Sequence, residues 1–108
     1  FHAYSDGIET YRKLKECGDF VFGIGGVVTF KKSRLAEVAG EMELRDLVLE
    51  TDCPYLSPVP WRGKPNEPAL VAFTAETVAL ERGMDPAELW TLCGDNTRRF
   101  FNAPAKGL

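Results

Sequence analysis

The stretch FVFGIGGVV at residues 20–28 constrains the fold more than any other part of the chain. Aromatic and β-branched side chains occupy both alternating positions, so a strand here has no polar face to give to water. Such a strand persists only when covered on both sides, which is the condition of a parallel sheet. Residues 46–51, with Leu47-Val48-Leu49 at their centre, read as a second strand of the same kind. Phe1-His2-Ala3-Tyr4 reads as the end of a third, with Ser5-Asp6-Gly7 as a turn.

Helical spacing fills the gaps. IETYRKLKEC at residues 8–17 places Ile8, Tyr11 and Leu14 on one face, and Gly18 follows as a stop. Ser33 is placed to cap a helix over residues 34–42, with Leu35, Val38 and Ala39 inward. Strand, helix, strand, helix, strand is the order of a mixed α/β chain with parallel pairing.

Residues 53–68 break this rhythm. They hold five of the seven prolines, together with Trp61, Arg62, Gly63, Lys64, Asn66 and Glu67. Long loops are uncommon in compact domains, and those that persist more often serve function. Pro68 suits the first position of a helix over residues 69–82, which carries Leu70, Phe73, Val78 and Leu80. Asp85-Pro86-Ala87-Glu88 opens the last helix in the manner of a capping box. Leu89, Leu92, Cys93, Asn96 and Phe100 run along one side of it.

In parallel sheets ligands gather beyond the carboxyl ends of the strands. His2, Gly25-Gly26, Glu50 and Asp52 all fall there. Alternation puts Glu50 and Asp52 on one side and Thr51 on the other. An imidazole and a carboxylate at neighbouring strand ends suit Zn²⁺, Mn²⁺ or Mg²⁺ better than a soft metal. Blander readings stand beside this one. Asp52 equally fits a cap on the turn that Asp-Cys-Pro favours, and a lone histidine is often structural. Gly25-Gly26 lacks the pattern of a dinucleotide-binding loop and fits close packing or a turn. Cys53 lies beside the acid, but nothing in the spacing pairs it with His2. Arg62 and Lys64 suit a phosphate, with solvated loop charges as the default. Asn96 reads as a buried hydrogen-bonding residue.

The formal charge is −3, from 13 basic and 16 acidic residues, which is no electrostatic footprint for nucleic acid. Any polyanionic substrate must therefore be met by local basic groups or a bound cation. Cys17, Cys53 and Cys93 are odd in number and widely spaced, which predicts reduced thiols and a cytoplasmic location. No apolar run approaches the ~18 residues of a membrane span.

The segment VLETDCPYLSPVPWRGKPNEPALV closely resembles the TatD-like family of metal-dependent deoxyribonucleases. FHAYSDG, FGIGGVVTFKKS and CGDNTRRFF are similar to three further elements of that family, in the same order. The resemblance implies an amidohydrolase-type TIM (β/α)8 barrel of roughly 260 residues. Residues 1–108 would be a single partial domain, its C-terminal portion of about three β/α units plus terminal helices. His2 would then be a metal ligand. Asp52 would bind metal and act as general base. Glu50 would support the site from behind those ligands. Arg62, Lys64 and Asn66 would lie on the rim near the substrate backbone, in the family's R-G-K-x-N-E-P loop. Gly25 departs from the family, which commonly has serine there. The family's H-x-H pair, its strand-end glutamate and its other metal histidine have no counterpart in the chain. The implied cofactor is a divalent ion (Mg²⁺, Mn²⁺ or Zn²⁺), and the implied substrate is DNA. The chain by itself is expected to be inactive, with the N-terminal barrel half or another copy of the chain as its partner. Two other readings remain at this point: a non-catalytic oligomeric binding module, and a hydrolase of the same fold acting on another phosphoester or an amide.

Overall fold

Two strands pair in parallel at the centre of the molecule: the buried β1, Phe22–Ile24, and the partly buried β2, Leu47–Leu49, in the register Phe22↔Leu47, Gly23↔Val48 and Ile24↔Leu49. The computed structural model describes residues 1–102, so residues 103–108 of the single-domain expectation lie outside the described residues. Phe22 and Ile24 are fully buried on one face and Gly23 is buried on the other, as a strand covered on both faces requires. Phe1–Tyr4 runs along the other edge of β1. Gly23 N–H donates to Phe1 O at 2.8 Å, and Tyr4 N–H donates to Gly23 O at 2.9 Å. This segment is not a regular strand, because Ala3 interrupts the ladder at φ +50°.

The helices follow the expected spacing. α1 spans Ile8–Cys17 and α2 spans Leu35–Glu41. Ser33 Oγ accepts the Leu35 N–H at 3.1 Å, which is the cap expected of it. α3, Val71–Arg82, continues from a 3₁₀ turn over Pro68–Leu70. It ends at Gly83, φ +65°, where Met84 N–H reaches Ala79 O at 2.9 Å and Gly83 N–H reaches Leu80 O at 3.2 Å. α4, Pro86–Phe100, starts at Asp85, whose side chain accepts the Glu88 N–H at 3.3 Å.

Both strands are shorter than expected. Val27 and Val28 lie in a 3₁₀ turn, Gly26–Thr29, and not in β1. The cause is close packing: a Cβ on Gly26 would stand 2.4 Å from Leu56 O. At the head of β2, Asp46 belongs to a 3₁₀ turn, Leu44–Asp46. Its buried carboxylate accepts from Tyr11 Oη at 2.5 Å and Lys15 Nζ at 3.0 Å, so α1 holds it out of the ladder. Leu80 and Phe100 do not join the core; they are 84% and 59% exposed. On α3 the buried positions are Thr74, Ala75, Val78 and Ala79.

Phe22 anchors an aromatic cluster. Tyr4 and Tyr11 meet its ring edge-on at 5.1 and 4.9 Å, and Phe1 stacks on it at 5.4 Å. Ile24, Leu35, Val38, Met42, Leu47, Val78 and Leu89 continue the core around it. Such a core fixes the two strands, and with them the height of everything at their carboxyl ends.

Candidate functional site

Three side chains converge where the strands end. His2 Nε2 lies 3.2 Å from Asp52 Oδ1 and 3.5 Å from Glu50 Oε1. Glu50 N–H donates to Ile24 O at 3.1 Å, extending the β1–β2 ladder by one residue. Alternation then places Glu50 and Asp52 together facing His2, as expected from the strand geometry. The imidazole is 69% exposed, Asp52 31% and Glu50 17%, so the cluster opens to solvent at His2 and closes at Glu50. Burial pushes the Glu50 carboxyl above its usual range. The Ala3 N–H and the His2 imidazole pull it back down, while the Asp52 charge adds to the rise.

Asp52 does hold the following turn, but through its backbone: Tyr55 N–H donates to Asp52 O at 2.8 Å. Its carboxylate is turned to His2. Cys53 is exposed and stands outside the cluster. All three cysteines are free, Cys17 and Cys53 exposed and Cys93 buried.

The donor set suits a hard or borderline divalent cation. One nitrogen and two carboxylate oxygens, from His2, Asp52 and Glu50, lie within 4.8 Å of one another. These donors fit a shared ion, with two qualifications visible in the geometry. Glu50 Oε1 already accepts the Ala3 N–H. Three donors also fall short of a closed four-coordinate shell.

The loop residues separate into two groups. Arg62 and Lys64 are exposed, the guanidinium 4.2 Å above the Phe30 ring and the ammonium 5.7 Å from the Trp61 ring. With Phe30, Tyr55 and Ser57 they line an open cavity of about 310 Å³. Asn66 is buried. Its N–H donates to Pro54 O at 2.8 Å and its Nδ2 to Tyr55 O at 2.9 Å, so it staples the loop on itself. Its Oδ1 is buried without a hydrogen-bond partner among the described residues.

One position of the site escaped the sequence reading. A Cβ on Gly23 would stand 2.1 Å from Glu50 Oε2 and 2.5 Å from Glu50 Cδ. The carboxylate occupies the space a side chain would fill. The available signal was a glycine inside an apolar strand, which marks close approach of another group.

A second cavity, about 330 Å³, lies beside the cluster and is mostly apolar, with Phe1, Val48, Leu49, Phe100 and Phe101 in its wall. No helix among the described residues is long and apolar enough to cross a membrane.

A protein of Escherichia coli K12 described as the uncharacterized metal-dependent hydrolase YcfH is 40% identical over 108 residues, covering 99% of this chain and 40% of that protein. The Bacillus subtilis metal-dependent hydrolase YabD is 37% identical over 101 residues, covering 93% of this chain and 39% of that protein. The chain thus spans about 40% of the length of these relatives. Among solved structures, the E. coli TatD homologue YJJV superposes with a TM-score of 0.85 at 27% identity, over 95% of this chain and 40% of that one. A TatD family hydrolase of Entamoeba histolytica gives a TM-score of 0.72 at 20% identity, over 91% of this chain and 40% of that one, a likeness of fold alone. The family model described as TatD related DNase matches residues 1–102, from the edge segment that carries His2 through the last helix. The chain belongs to the TatD related DNase family.

Proposed function

We propose that this chain is the C-terminal part of a TIM (β/α)8 barrel hydrolase that cleaves phosphodiester bonds in DNA, with His2 and Asp52 holding a divalent ion. The observation that carries the reading is the 3.2 Å approach of His2 Nε2 to Asp52 Oδ1, from segments that flank β1 on opposite edges. Metal-dependent hydrolase is also the description of the relatives YcfH and YabD.

A divalent ion bound there supplies a polarised phosphoryl oxygen and an acidified water. The chain's own residues divide the remaining work. Asp52 Oδ would accept the proton of the attacking water. His2 fixes the direction of that carboxylate by facing it. Arg62 and Lys64 stand on the neighbouring loop, their cations held by aromatic rings, and offer contacts to substrate phosphates. The net charge of −3 is compatible with a polyanionic substrate because these local cations, not a basic face, meet it.

The apolar cavity walled by Phe1, Val48, Phe100 and Phe101 supports a longer barrel. We infer that its remaining strands cover this wall and supply the missing ligands. The isolated 108-residue chain is then inactive.

The test uses both forms. With Mn²⁺ and DNA, the longer protein should release nucleotides, and Asp52→Asn or His2→Ala should abolish release. The isolated chain should show none. Unchanged turnover in Asp52→Asn overturns the proposed site. Turnover on phosphomonoesters or amides but not DNA overturns the substrate. A metal-free, stably oligomeric longer protein without hydrolase activity favours the binding-module reading.

A further inference from the structure

We propose that Gly23 and Glu50 form a clamp on the backbone that carries His2, which makes both of them positioning residues of the candidate site. The inference rests on the reading that His2 and Asp52 share an ion.

In a regular parallel ladder, the N–H and C=O of one residue bond to partner residues two apart. Here Gly23 bonds to Phe1 O and Tyr4 N–H, which are three apart. One extra residue is accommodated between them, in the manner of a bulge. That residue is Ala3, in the left-handed region at φ +50°, where a side chain is disfavoured. Its N–H leaves the ladder and donates to Glu50 Oε1. This hydrogen bond supports an otherwise unfavourable backbone beside His2.

The Glu50 carboxylate reaches that N–H only across Gly23. Oε2 and Cδ sit where a Cβ on Gly23 would be, at 2.1 and 2.5 Å from that point. The Gly23 backbone has no room to give, so the flexible end of the Glu50 side chain must yield. Gly23 is tied to Phe1 and Tyr4 on one edge and paired with Val48 on the other. Any side chain at Gly23 must therefore push the carboxylate aside. Ala3 N–H then loses its acceptor, and His2 loses the backbone that aims it at Asp52. Glu50 Oε1, the oxygen nearer His2, is engaged by that N–H. Its role is to hold the strand, with ion binding left to His2 and Asp52.

The clamp and a direct ligand role make opposite forecasts for a neutral acceptor. Gln at position 50 keeps an oxygen for the Ala3 N–H but removes the charge. The experiment compares wild type, Glu50→Gln, Glu50→Ala and Gly23→Ala in the longer protein, where the remaining strands and ligands are present. Its readouts are the Ala3 amide shift and exchange rate, the His2 ring resonances without metal, and Zn²⁺ affinity by calorimetry. The expected pattern is a protected Ala3 amide in wild type and Glu50→Gln. In Glu50→Ala and Gly23→Ala that protection should be lost and the His2 ring resonances should shift. Zn²⁺ affinity should fall about tenfold or more in those two, the range seen when residues supporting metal ligands are removed, and stay close to wild type in Glu50→Gln. If Gly23→Ala does not fold, the Glu50 pair decides. Glu50→Gln losing as much affinity as Glu50→Ala, with the Ala3 amide undisturbed, overturns the clamp in favour of a third ligand. Gly23→Ala with an unchanged amide and affinity also overturns it. A longer wild-type protein that keeps the protected amide but takes no Zn²⁺ sinks the metal reading and leaves the clamp standing.

Discussion

Asn96 on α4 donates from Nδ2 to Leu47 O at 2.8 Å and to Leu44 O at 2.6 Å, so the last helix holds the entry to the strand whose far end carries Glu50 and Asp52. Asn96 Oδ1 is engaged as well, accepting from Arg99 Nη2 at 3.0 Å. The residue is buried. Removing its amide leaves two backbone carbonyls without their donor, and unsatisfied buried acceptors cost more than a mean hydrogen bond is worth. Asn96→Ala should destabilise the chain by ~1–3 kcal/mol, read as a lower urea midpoint. Asn96→Asp should be at least as damaging, since a carboxylate presents acceptors to acceptors.

Arg82 plays a comparable part at the end of α2. Its guanidinium donates to Ala39 O and Met42 O at 2.7 Å each and to Gly40 O at 3.2 Å. These carbonyls lie at the end of that helix, where no further turn supplies donors. Arg82→Met keeps much of the apolar stem and loses every donor, so a cost of ~1.5–3 kcal/mol is expected in chemical denaturation. All three contacts come from Nη1, so Arg82→Lys, which keeps one charged nitrogen but on a shorter stem, should recover part of the loss.

The chain should lose stability on the alkaline side. Burial, then the hydrogen bond to Asp46, pushes the Tyr11 phenol up to about 12, and burial pushes the Cys93 thiol up to about 11. In the unfolded chain the two groups ionise near their ordinary values of 10.0 and 9.0. Above those values the unfolded state holds fewer protons than the folded state, so unfolding becomes easier as pH rises. The contribution is complete below pH 9 and is lost as pH climbs through about 11 and about 12. Urea midpoints across this range should fall with pH. The fall should be shallower in Cys93→Ala and in Tyr11→Phe, whatever their absolute stability. A slope identical to wild type in both variants contradicts the assignment.

Local physics made part of this structure legible from the sequence. Ile8, Tyr11 and Leu14 announced α1 by spacing alone, and Ser33 and Asp85 announced helix starts by chemistry that needs no distant partner. The pairing of Glu50 with Asp52 followed from strand alternation. The features that escaped depend on groups far away in the chain. Val27 and Val28 read as strand because nothing local reveals that Leu56 O approaches Gly26. Asp46 read as strand because its partners, Tyr11 and Lys15, belong to the first helix. The Ala3 bulge depends on Glu50, 47 positions away. Asn66 read as a rim residue from its place in the loop, and the loop folds its amide inward. Composition carried none of this; the tertiary hydrogen bonds do.

The proline-rich loop is seated by Gly26 and Thr29, and this makes a last prediction. Thr29 Oγ1 accepts the Val59 N–H at 2.8 Å while donating to Gly26 O at 2.7 Å. A Cβ on Gly26 would stand 2.4 Å from Leu56 O and 3.0 Å from Pro58 N, both backbone atoms that cannot rotate away. Gly26→Ala should therefore lift the loop off the turn after β1. Thr29→Val should free Val59 N–H while keeping shape, a milder change of about 1 kcal/mol. Arg62, stacked on Phe30 just beyond that turn, should loosen with the loop. Limited proteolysis should cut residues 53–68 fastest in Gly26→Ala, more slowly in Thr29→Val and slowest in wild type. Trp61 emission should shift to longer wavelength in the same order, as its ring leaves Phe73, now 6.3 Å away centroid to centroid. Cleavage at equal rates in all three proteins would show that the loop is held by its internal staple at Asn66 and not by the strand turn beneath it.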